Sequence, residues 1–341
     1  MDRDKIDGLI LSSPSNISYL TDFRSRDAYL VISRKENVYI TDARYIEEAR
    51  KNLKGFTVEE TNNSVFKKIA DICRVLRLKC IGFEEKHLNF AAYKKIRKEL
   101  DDNAGLVATS GLVEELRQLK TPRELEKIRK ATEITVKAFR FIKDFIVPGT
   151  REIEVAAELE RFIRYNGATA SSFDIIVGSG PNSSSPHHLT SERKLKKDEL
   201  VLLDLGVDYL GYKSDLTRVF FSGKINSLAR KIYKIVLKAQ ELALAEIKPG
   251  VVISQIDGFA RGYIEKKGYA SFFGHGLGHG VGLEVHEEPY INKIEKKRIK
   301  AGMVFTVEPA IYLPDKFGIR IEDMVLVTKR GMEVLSGALD K

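Results

Sequence analysis

The stretch FIVPGTREIEVAAELERFIRYNGA, residues 145–168, decides the fold because its pattern returns as EIKPGVVISQIDGFARGYIEKKGYA, residues 246–270. Three positions recur at the same offset of 101 residues: Pro148 as Pro249, Gly149 as Gly250, and Gly167 as Gly268. Each copy predicts a helix, a Pro-Gly turn, a second amphipathic helix and a glycine that ends it. We therefore expect a domain built from two related halves with pseudo-twofold symmetry.

A β-rich segment follows each copy, and each segment carries two acidic residues. Each predicts two strands joined by a turn: Leu210-Gly211 in LVLLDLGVDYLGYKSDLTRVFF, residues 200–221, and Pro314-Asp315 in MVFTVEPAIYLPDKFGIRIEDMVLV, residues 303–327. We expect Asp204 and Asp215 to lie symmetrically about the first turn, and Glu308 and Glu322 about the second. Opposed like charges destabilise a sheet, and a buried unpaired carboxylate is costly, so a bound cation would relieve both problems. Either pair alone also fits a solvated edge hairpin, but two matching pairs favour a metal site.

Three of the six histidines fall in FFGHGLGHGVGLEVHEEP, residues 272–289. His275 and His279 are four residues apart, but glycines separate them and no glutamate follows the first, so this is not the helical zinc-protease motif. The glycines instead predict a loop or strand with close backbone approach. Four carboxylates with one imidazole and no thiolate form an oxygen-rich set that suits two divalent ions such as Mn²⁺, Co²⁺ or Zn²⁺.

Bulk composition is that of a two-domain globular protein. The chain has 341 residues, 43% of them hydrophobic, and a net charge of +9 that is spread mostly at helical spacing with acids between. This spread favours a solvated surface and argues against a nucleic-acid-binding face. Its N-terminal residues predict neither a signal peptide nor a membrane span. Cys73 and Cys80, seven apart in a helical pattern, are predicted to be free thiols, and we expect a cytoplasmic location.

Residues 1–120 predict a small α/β domain, because short apolar strands alternate with amphipathic helices. The predicted strands are GLILSS, AYLVIS, NVYITD and CIGFE; the predicted helices are ARYIEEARKNL, SVFKKIADICRVL and NFAAYKKIRKEL. The second domain is expected at 121–341. It should open with a long helix, since Thr121, Pro122 and Glu124 form a capping box with proline at the first helical position.

Together these motifs resemble the Xaa-Pro peptidase family, the pita-bread metallopeptidases that include aminopeptidase P and prolidase. The resemblance rests on LDLGVDYLGYKSDLTRVF, FFGHGLGHGVGLEVHEEP, VFTVEPAIY and GIRIED, with ISYLTDFRSRDAYLVI and ITDARY in the N-terminal part and KTPRELEKIRKA between the domains. It implies an α+β fold: a C-terminal pita-bread domain with a pseudo-twofold repeat, preceded by a smaller α/β creatinase-type N-terminal domain.

The resemblance also implies a set of site residues. The implied ligands of two divalent metal ions, with Mn²⁺ ranked before Co²⁺ and Zn²⁺, are Asp204, Asp215, His279, Glu308 and Glu322. Asp215 and Glu322 would bridge the ions, Asp204 would complete one site, and His279 with Glu308 the other. Asp323 is expected to point to the opposite strand face.

Other residues take roles in catalysis and substrate binding by the same resemblance. His187 and His286 would donate hydrogen bonds to developing charge, and Glu308 would accept a proton from water. His275 and Arg320 would contact substrate, although simple support of the ligands is a competing role for both. The adjacent His188 is predicted to be an ordinary loop residue.

The implied activity is hydrolysis of Xaa-Pro bonds at the N-terminus of short peptides, as in aminopeptidase P. The alternative is a Xaa-Pro dipeptidase, a prolidase, with the same site. Methionine aminopeptidases usually lack an N-terminal domain of this kind, and creatinases lack the ligand set. A catalytically inactive binding protein is a further alternative, against which the complete ligand set argues. We expect small peptides with proline second as substrates, a homodimer in which the N-terminal domain limits substrate length, and neither nucleic acid nor a membrane as partner.

Overall fold

The computed structural model describes residues 5–341, in two units, one ending at Leu116 and one spanning Arg117–Lys341. Residues 1–4, the beginning of the N-terminal segment interpreted above, lie outside the described residues. No helix within residues 5–341 combines the length and the apolar character needed to cross a membrane. The boundary expected after residue 120 stays a prediction.

The first unit is a six-stranded mixed sheet, ordered β4-β3-β2-β1-β5-β6, with helices packed on it. Its elements are, in chain order, β1 (Gly8–Leu11), α1 (Pro14–Thr21), β2 (Tyr29–Ser33), β3 (Asn37–Thr41), α2 (Ile46–Asn52), β4 (Thr57–Glu60), α3 (Val65–Val75), β5 (Cys80–Glu84), α4 (Phe90–Glu99), β6 (Gly105–Thr109) and α5 (Glu114–Arg117), whose last residue belongs to the second unit. Strands β1, β2 and β3 pair antiparallel, whereas β4, β5 and β6 join in parallel.

The predicted elements of this unit all form, and the pattern missed four others. The four predicted strands are β1, β2, β3 and β5, and the three predicted helices are α2, α3 and α4. The missed elements are α1, β4, β6 and α5; α1 is short and mostly polar, so it has little apolar periodicity. Cys73 and Cys80 are both free, as predicted, although Cys80 lies on β5 and not in a helical pattern.

The second unit contains four long helices and four small sheets. Its elements are α6 (Pro122–Ile142), α7 (Glu152–Tyr165), β7 (Ala170–Ser171), β8 (Ile176–Ser179), β9 (Leu200–Leu205), β10 (Val207–Tyr209), β11 (Tyr212–Lys213), β12 (Leu216–Phe221), α8 (Ser227–Ala245), α9 (Ile253–Lys266), β13 (Gly278–Gly280), β14 (Glu287–Ile291), β15 (Val304–Val307), β16 (Ala310–Leu313), β17 (Phe317–Arg320), β18 (Asp323–Val327) and β19 (Met332–Val334). The sheets are ordered β11-β10-β7, β12-β9-β8, β14-β13-β15-β18-β19 and β16-β17.

The helix that opens this unit begins as predicted. The Thr121 side chain accepts from the backbone N–H of Glu124, whose carboxylate accepts from the Thr121 N–H at 2.8 Å, and proline stands in the first turn. This reciprocal cap satisfies two N–H groups that a helix start otherwise leaves without a partner.

The repeat is visible in the geometry. Helices α7 and α9 each have 14 residues, and each follows a glycine with positive φ, 98° at Gly149 and 92° at Gly250. Both glycine N–H groups donate at 2.8 Å to a matching carbonyl, Leu195 in one half and Ile299 in the other. The predicted pita-bread domain with two related halves is therefore confirmed, as is the smaller α/β unit before it.

The helices of each half pack on the strands of that half, and this decides where the acidic residues point. One core joins α6 and α7 to β8, β9 and β12, and the other joins α8 and α9 to β15, β16, β17 and β18. On β9, Val201, Leu203 and Leu205 face the first core. Because side chains alternate along a strand, Asp204 faces away from these helices.

Candidate metal centre

All nine predicted site residues line one cavity of about 540 Å³ in the second unit. They are His187, Asp204, Asp215, His275, His279, His286, Glu308, Arg320 and Glu322. This volume suits a small ligand. Residues 117 to 341 therefore bring together side chains that are up to 135 positions apart, from His187 to Glu322.

The first acidic pair lies on one hairpin, but the two residues do not face each other directly. Asp204 on β9 lies opposite Thr217 on β12, and Asp215 lies two positions before Thr217. The turn at Leu210-Gly211 forms as predicted, with φ of 51° and 89°. The expectation that the aspartates are symmetric about this turn is wrong: Asp204 precedes the turn by six residues and Asp215 follows it by four. They are diagonal neighbours on the same face.

In the second acidic pair, the two residues lie directly opposite each other. The pairings Val307 with Asp323 and Ala310 with Arg320 share one register, which places Glu308 opposite Glu322 between them. The hairpin is interrupted there, because the Glu308 N–H donates to the Leu277 carbonyl and the Glu322 N–H to the Thr217 carbonyl. The sheet pairing thus breaks where the carboxylates project.

Five side chains of the cavity form overlapping groups with the spacing of metal ligands. One group is Asp204, Asp215 and Glu322, and another is His279, Glu308 and Glu322; within each, the potential ligand atoms lie within 4.8 Å of one another. Glu322 belongs to both groups. Two neighbouring centres that share a carboxylate are consistent with this arrangement.

The acidic cluster carries charge that its protein surroundings compensate only in part. Asp204 is 7% exposed and Asp215 4%, and within the described chain the Oδ1 atom of each is buried without a hydrogen-bond partner. Burial, and next the charge of Glu322, raise the pKa of Asp215 well above its ordinary value. Burial, and next the charge of Glu308, do the same to the pKa of Glu322. Divalent cations would supply the missing partners, so these residues fit the metal that the resemblance implies.

His279 lies against the acids on the short strand β13. Its Nε2 is 3.2 Å from Glu308 Oε1 and 3.6 Å from Asp215 Oδ2. Burial raises the pKa of Glu308, but the hydrogen bond and charge of His279 outweigh it and hold that pKa at about 2. The glycines beside His279 are required, since a Cβ on Gly278 would lie 2.0 Å from the Thr306 carbonyl oxygen. The predicted close backbone approach is present.

His286 and His187 reach the cavity from loops. The ring of His286 lies 4.0 Å from the ring of His279, centre to centre, and His286 also falls within ligand range of Asp215. The structure therefore gives His286 a geometry that would also suit a ligand, whereas the resemblance placed it outside the ligand set. Partial burial, and next the charge of His279, lower the pKa of His286 to about 4. His187 is exposed at the cavity surface.

Arg320 is bound to the acidic cluster through Asp204. It is 4% exposed, and it donates from Nη2 to Asp204 Oδ2 at 2.6 Å and from Nε to Thr217 Oγ1 at 2.9 Å. It also donates to the Tyr312 hydroxyl, which lies 3.3 Å from His275 Nε2. Arg320 and His275 thus both contact Tyr312, which no sequence motif had singled out.

Asp323 behaves as the strand alternation predicted. It is fully buried and accepts from Arg218 Nη2 at 2.7 Å and from Ser336 Oγ at 2.7 Å, and Lys341 pairs with its other oxygen at 2.6 Å. Its carboxylate is therefore bound to another part of the unit.

Several supporting residues escaped the sequence analysis because their contacts are long-range. Buried Gln240 on α8 donates at 3.0 Å to the carbonyls of Val307 and Ile321, each directly before an acidic residue of the cluster. Arg261, paired with buried Asp257, donates to the His275 carbonyl at 2.7 Å. His188 lies in a loop, as predicted, and its Nε2 is 2.9 Å from Glu152 Oε2, a contact that spans 36 residues of sequence.

Comparisons with known proteins agree with this geometry. Residues 126–329 match the sequence profile of metallopeptidase family M24, and residues 1–119 match that of the creatinase/prolidase N-terminal domain. The chain is 37% identical over 339 residues to a Xaa-Pro dipeptidase of Pyrococcus furiosus, covering 98% of this chain and 95% of that protein.

Solved structures give the same picture. A Xaa-Pro dipeptidase from Bacillus anthracis superposes with a TM-score of 0.96 at 39% identity, covering 100% of this chain and 95% of that one. An X-Pro aminopeptidase from Thermotoga maritima gives a TM-score of 0.90 at 35% identity, covering 98% and 96%. M24 enzymes use divalent metals, and the cluster described above has the donors for them. The chain belongs to metallopeptidase family M24.

Proposed function

We propose that this metallopeptidase is a Xaa-Pro dipeptidase. The observation that carries the proposal is the buried cluster of four carboxylates and His279, open to a cavity that also holds His187, His275 and His286. Relatives named Xaa-Pro dipeptidase support the substrate class at 37% and 39% identity. These relatives favour a Xaa-Pro dipeptidase, the alternative given above, over the Xaa-Pro aminopeptidase that was our first expectation.

The cluster would hold two divalent ions, for which Mn²⁺ is our first choice. The proposed ligands are Asp204, Asp215, His279, Glu308 and Glu322, with Asp215 and Glu322 shared between the ions. The bound metals would supply Lewis-acid polarisation of the scissile carbonyl and a water-derived nucleophile at neutral pH.

The chain's own residues would handle protons and charge. Glu308 accepts the proton of the attacking water, and His187 and His286 donate hydrogen bonds to the charge that develops on the substrate. His275 and Arg320 contact the substrate near Tyr312. A Xaa-Pro bond has no N–H on its proline nitrogen. A site that relies on hydrogen-bond donors of the protein does not need an N–H on the substrate. Such a site therefore accepts a Xaa-Pro bond.

One kinetic comparison tests the substrate class. The kcat/KM for Ala-Pro would be measured beside those for Ala-Pro-Ala and Ala-Ala, with Mn²⁺ supplied. We expect kcat/KM for the dipeptide to exceed kcat/KM for the tripeptide by about tenfold or more. A tenfold ratio corresponds to a free-energy difference of about 1.4 kcal/mol in favour of the dipeptide. Preference for the tripeptide would make the enzyme an aminopeptidase, and no hydrolysis of either would support the inactive alternative.

The role of the first unit is a separate proposal. None of the nine predicted site residues lies in it. We propose that it takes part in a homodimer and limits substrate length. A fragment starting near Lys120 should then lose its oligomeric state or its length selectivity before it loses metal, which size-exclusion chromatography and a peptide-length series would show.

A further inference from the structure

The two cavity histidines outside the proposed ligand set share a feature of their surroundings. His187 and His286 both lie in segments without regular secondary structure, where a side chain is not fixed by a helix or strand. In each case the next residue in the chain, His188 or Glu287, binds a buried charged group. These contacts are absent from the mechanism described above.

The contact in the first half is centred on Glu152. This residue is fully buried at the start of α7, and its Oε2 accepts from His188 Nε2 at 2.9 Å. Glu152 Oε1 accepts from the N–H and the hydroxyl of Ser179 at 2.7 and 2.6 Å, and Oε2 accepts from the Ser191 hydroxyl at 2.6 Å. Ser179 precedes His187 and Ser191 follows it, so one carboxylate holds both arms of the His187 loop.

The repeat shows that the helix itself does not need this carboxylate. At the offset of 101 residues, the counterpart of Glu152 is Ile253, the first residue of α9. Ile253 is also fully buried, and its N–H donates to the Lys297 carbonyl at 3.0 Å, as the Glu152 N–H donates to the Arg193 carbonyl at 3.0 Å. An apolar residue therefore serves the same local structure, and the charge at Glu152 has its use in the loop.

The contact in the second half is centred on Glu287. This residue is 5% exposed, and its carboxylate accepts from Lys120 Nζ at 2.7 Å and from Arg117 Nη2 at 2.5 Å. The Glu284 N–H also donates to it, at 3.3 Å, which holds the chain just before His286. A Cβ at Gly282 would lie 2.4 Å from the carboxylate, so the loop fits closely around this group.

We propose that His188 with Glu152, and Glu287 with Arg117 and Lys120, are positioning residues that set the placement of His187 and His286 in the cavity. Each contact fixes the residue next to a histidine, and a neighbour one bond along the chain limits where that histidine's backbone lies. Rigid support of this kind matters because a misplacement of about 1 Å can cost about 100-fold in rate. The inference rests on the proposed function for its kinetic readout.

The test for the first half uses His188→Leu, which deletes the donor, and His188→Gln, whose amide reaches the same carboxylate. With metal content and KM unchanged, His188→Leu should lower kcat on Ala-Pro by about 10- to 100-fold, as supporting residues do, and His188→Gln should restore most of it. Glu154→Gln is the matched control, because Glu154 is an exposed carboxylate two residues further along α7 that pairs with Arg151.

A double-mutant cycle separates positioning from general stability. In a His187→Ala background, adding His188→Leu should cost less than about threefold, since residues that act through one another are not additive. A full additional loss in that background, or an unchanged kcat in the single variant, would overturn the proposal for this half while the wild-type activity stands. The Glu287 arm uses Glu287→Gln and the milder Lys120→Gln in the same way, with His286→Ala as background.

A spectroscopic arm makes the proposal independent of peptidase activity. With six histidines in the chain, ¹³C-histidine labelling of the Zn²⁺-loaded protein gives a small set of ring signals. His188→Leu should shift or broaden the His187 signal, and Lys120→Gln should do so for His286, while His275 stays in place. Unmoved signals refute the positioning role even if the enzyme proves inactive on Xaa-Pro dipeptides, a result that would refute the proposed function alone.

Discussion

The two halves of the second unit present their acidic pairs in different ways. The first half uses aspartates that are diagonal across a hairpin, at Asp204 and Asp215, whereas the second half uses glutamates that lie directly opposite each other, at Glu308 and Glu322. A glutamate is longer by one methylene group and more flexible, so a directly opposed pair can still spread around one point. The repeat therefore conserves the location of the charges and lets side-chain length compensate for a difference in register.

The hydroxyl groups beside the acids follow the same division. Thr217 on the first hairpin donates to Glu322 Oε2 at 2.6 Å, and Thr306 on the second donates to Glu308 Oε1 at 3.1 Å. Both threonine hydroxyls thus donate to a glutamate. In each glutamate the second carboxylate oxygen stays available to another partner. For the aspartates, by contrast, one oxygen each is buried with no partner among residues 5–341.

The largest effect is expected from removing one proposed bridging carboxylate from each half. Asp215→Asn and Glu322→Gln should each abolish metal binding and lower kcat by about 10³-fold or more, beyond the 10- to 100-fold expected of supporting residues. Metal analysis of the purified variants and turnover of Ala-Pro are the measurements. If Glu322→Gln kept near wild-type turnover, the dinuclear assignment would be wrong.

The matched control for this pair is Asp315→Asn. Asp315 stands at the turn of the second hairpin with a φ of 58°, a conformation that asparagine tolerates, and it is exposed. This variant removes one carboxylate from the same hairpin without touching the cluster. It should retain metal and activity, and a loss there would show that the effect of the other two variants is not local.

A smaller effect is expected from the two histidines outside the ligand set. His187→Ala and His286→Ala should each lower kcat by about 10²–10³-fold, the usual cost of removing one transition-state donor, and leave the metal content unchanged. His286 is the more demanding case, since it lies within ligand range of Asp215 and His279. Loss of an ion from His286→Ala would make this residue a ligand and leave His187 as the donor.

The two threonines test whether the two halves support metal binding equally. Thr217→Val and Thr306→Val remove a hydroxyl from each half with little change of shape, and supporting groups of this kind typically contribute 10- to 100-fold to metal affinity. We expect Thr217→Val to have the larger effect, because its hydroxyl also accepts from Arg320 at 2.9 Å. Competition with a chelator gives the two affinities, and equal losses would contradict this ranking.

Much of this architecture could be predicted because its determinants are local in the chain. The cap at Thr121, the turn at Leu210-Gly211 and the strands around the acids are set by residues a few positions apart. The symmetric placement of Asp204 and Asp215 failed for a related reason, since pairing in a hairpin depends on the turn position, and a shift of one residue there changes the partner by two.

Residues that act across long sequence distances could not be found this way. Glu152 precedes His188 by 36 residues, and Gln240 lies 67 residues before Val307, whose carbonyl it binds. Nothing in the local pattern distinguishes either from an ordinary polar residue in an amphipathic helix. The spacing of the acidic pairs alone predicts a metal site. The resemblance to the Xaa-Pro peptidases then assigned the five proposed ligands individually.

The smallest expected effect tests whether the halves are equivalent where the repeat is most regular. Gly149 and Gly250 have φ of 98° and 92°, and a Cβ on either would meet no atom within 4 Å. Gly149→Ala and Gly250→Ala should therefore cost only the backbone strain, about 1–2 kcal/mol each, with unchanged kcat. Gly258→Ala within α9, where a Cβ also has open space, should instead stabilise by up to about 1 kcal/mol, because alanine is the better helix former. Urea unfolding of the three variants measures the differences. A much larger loss of unfolding free energy in one of the two turn variants would show that this turn contributes more to stability than its counterpart. The two halves would then be equivalent in shape but not in energy.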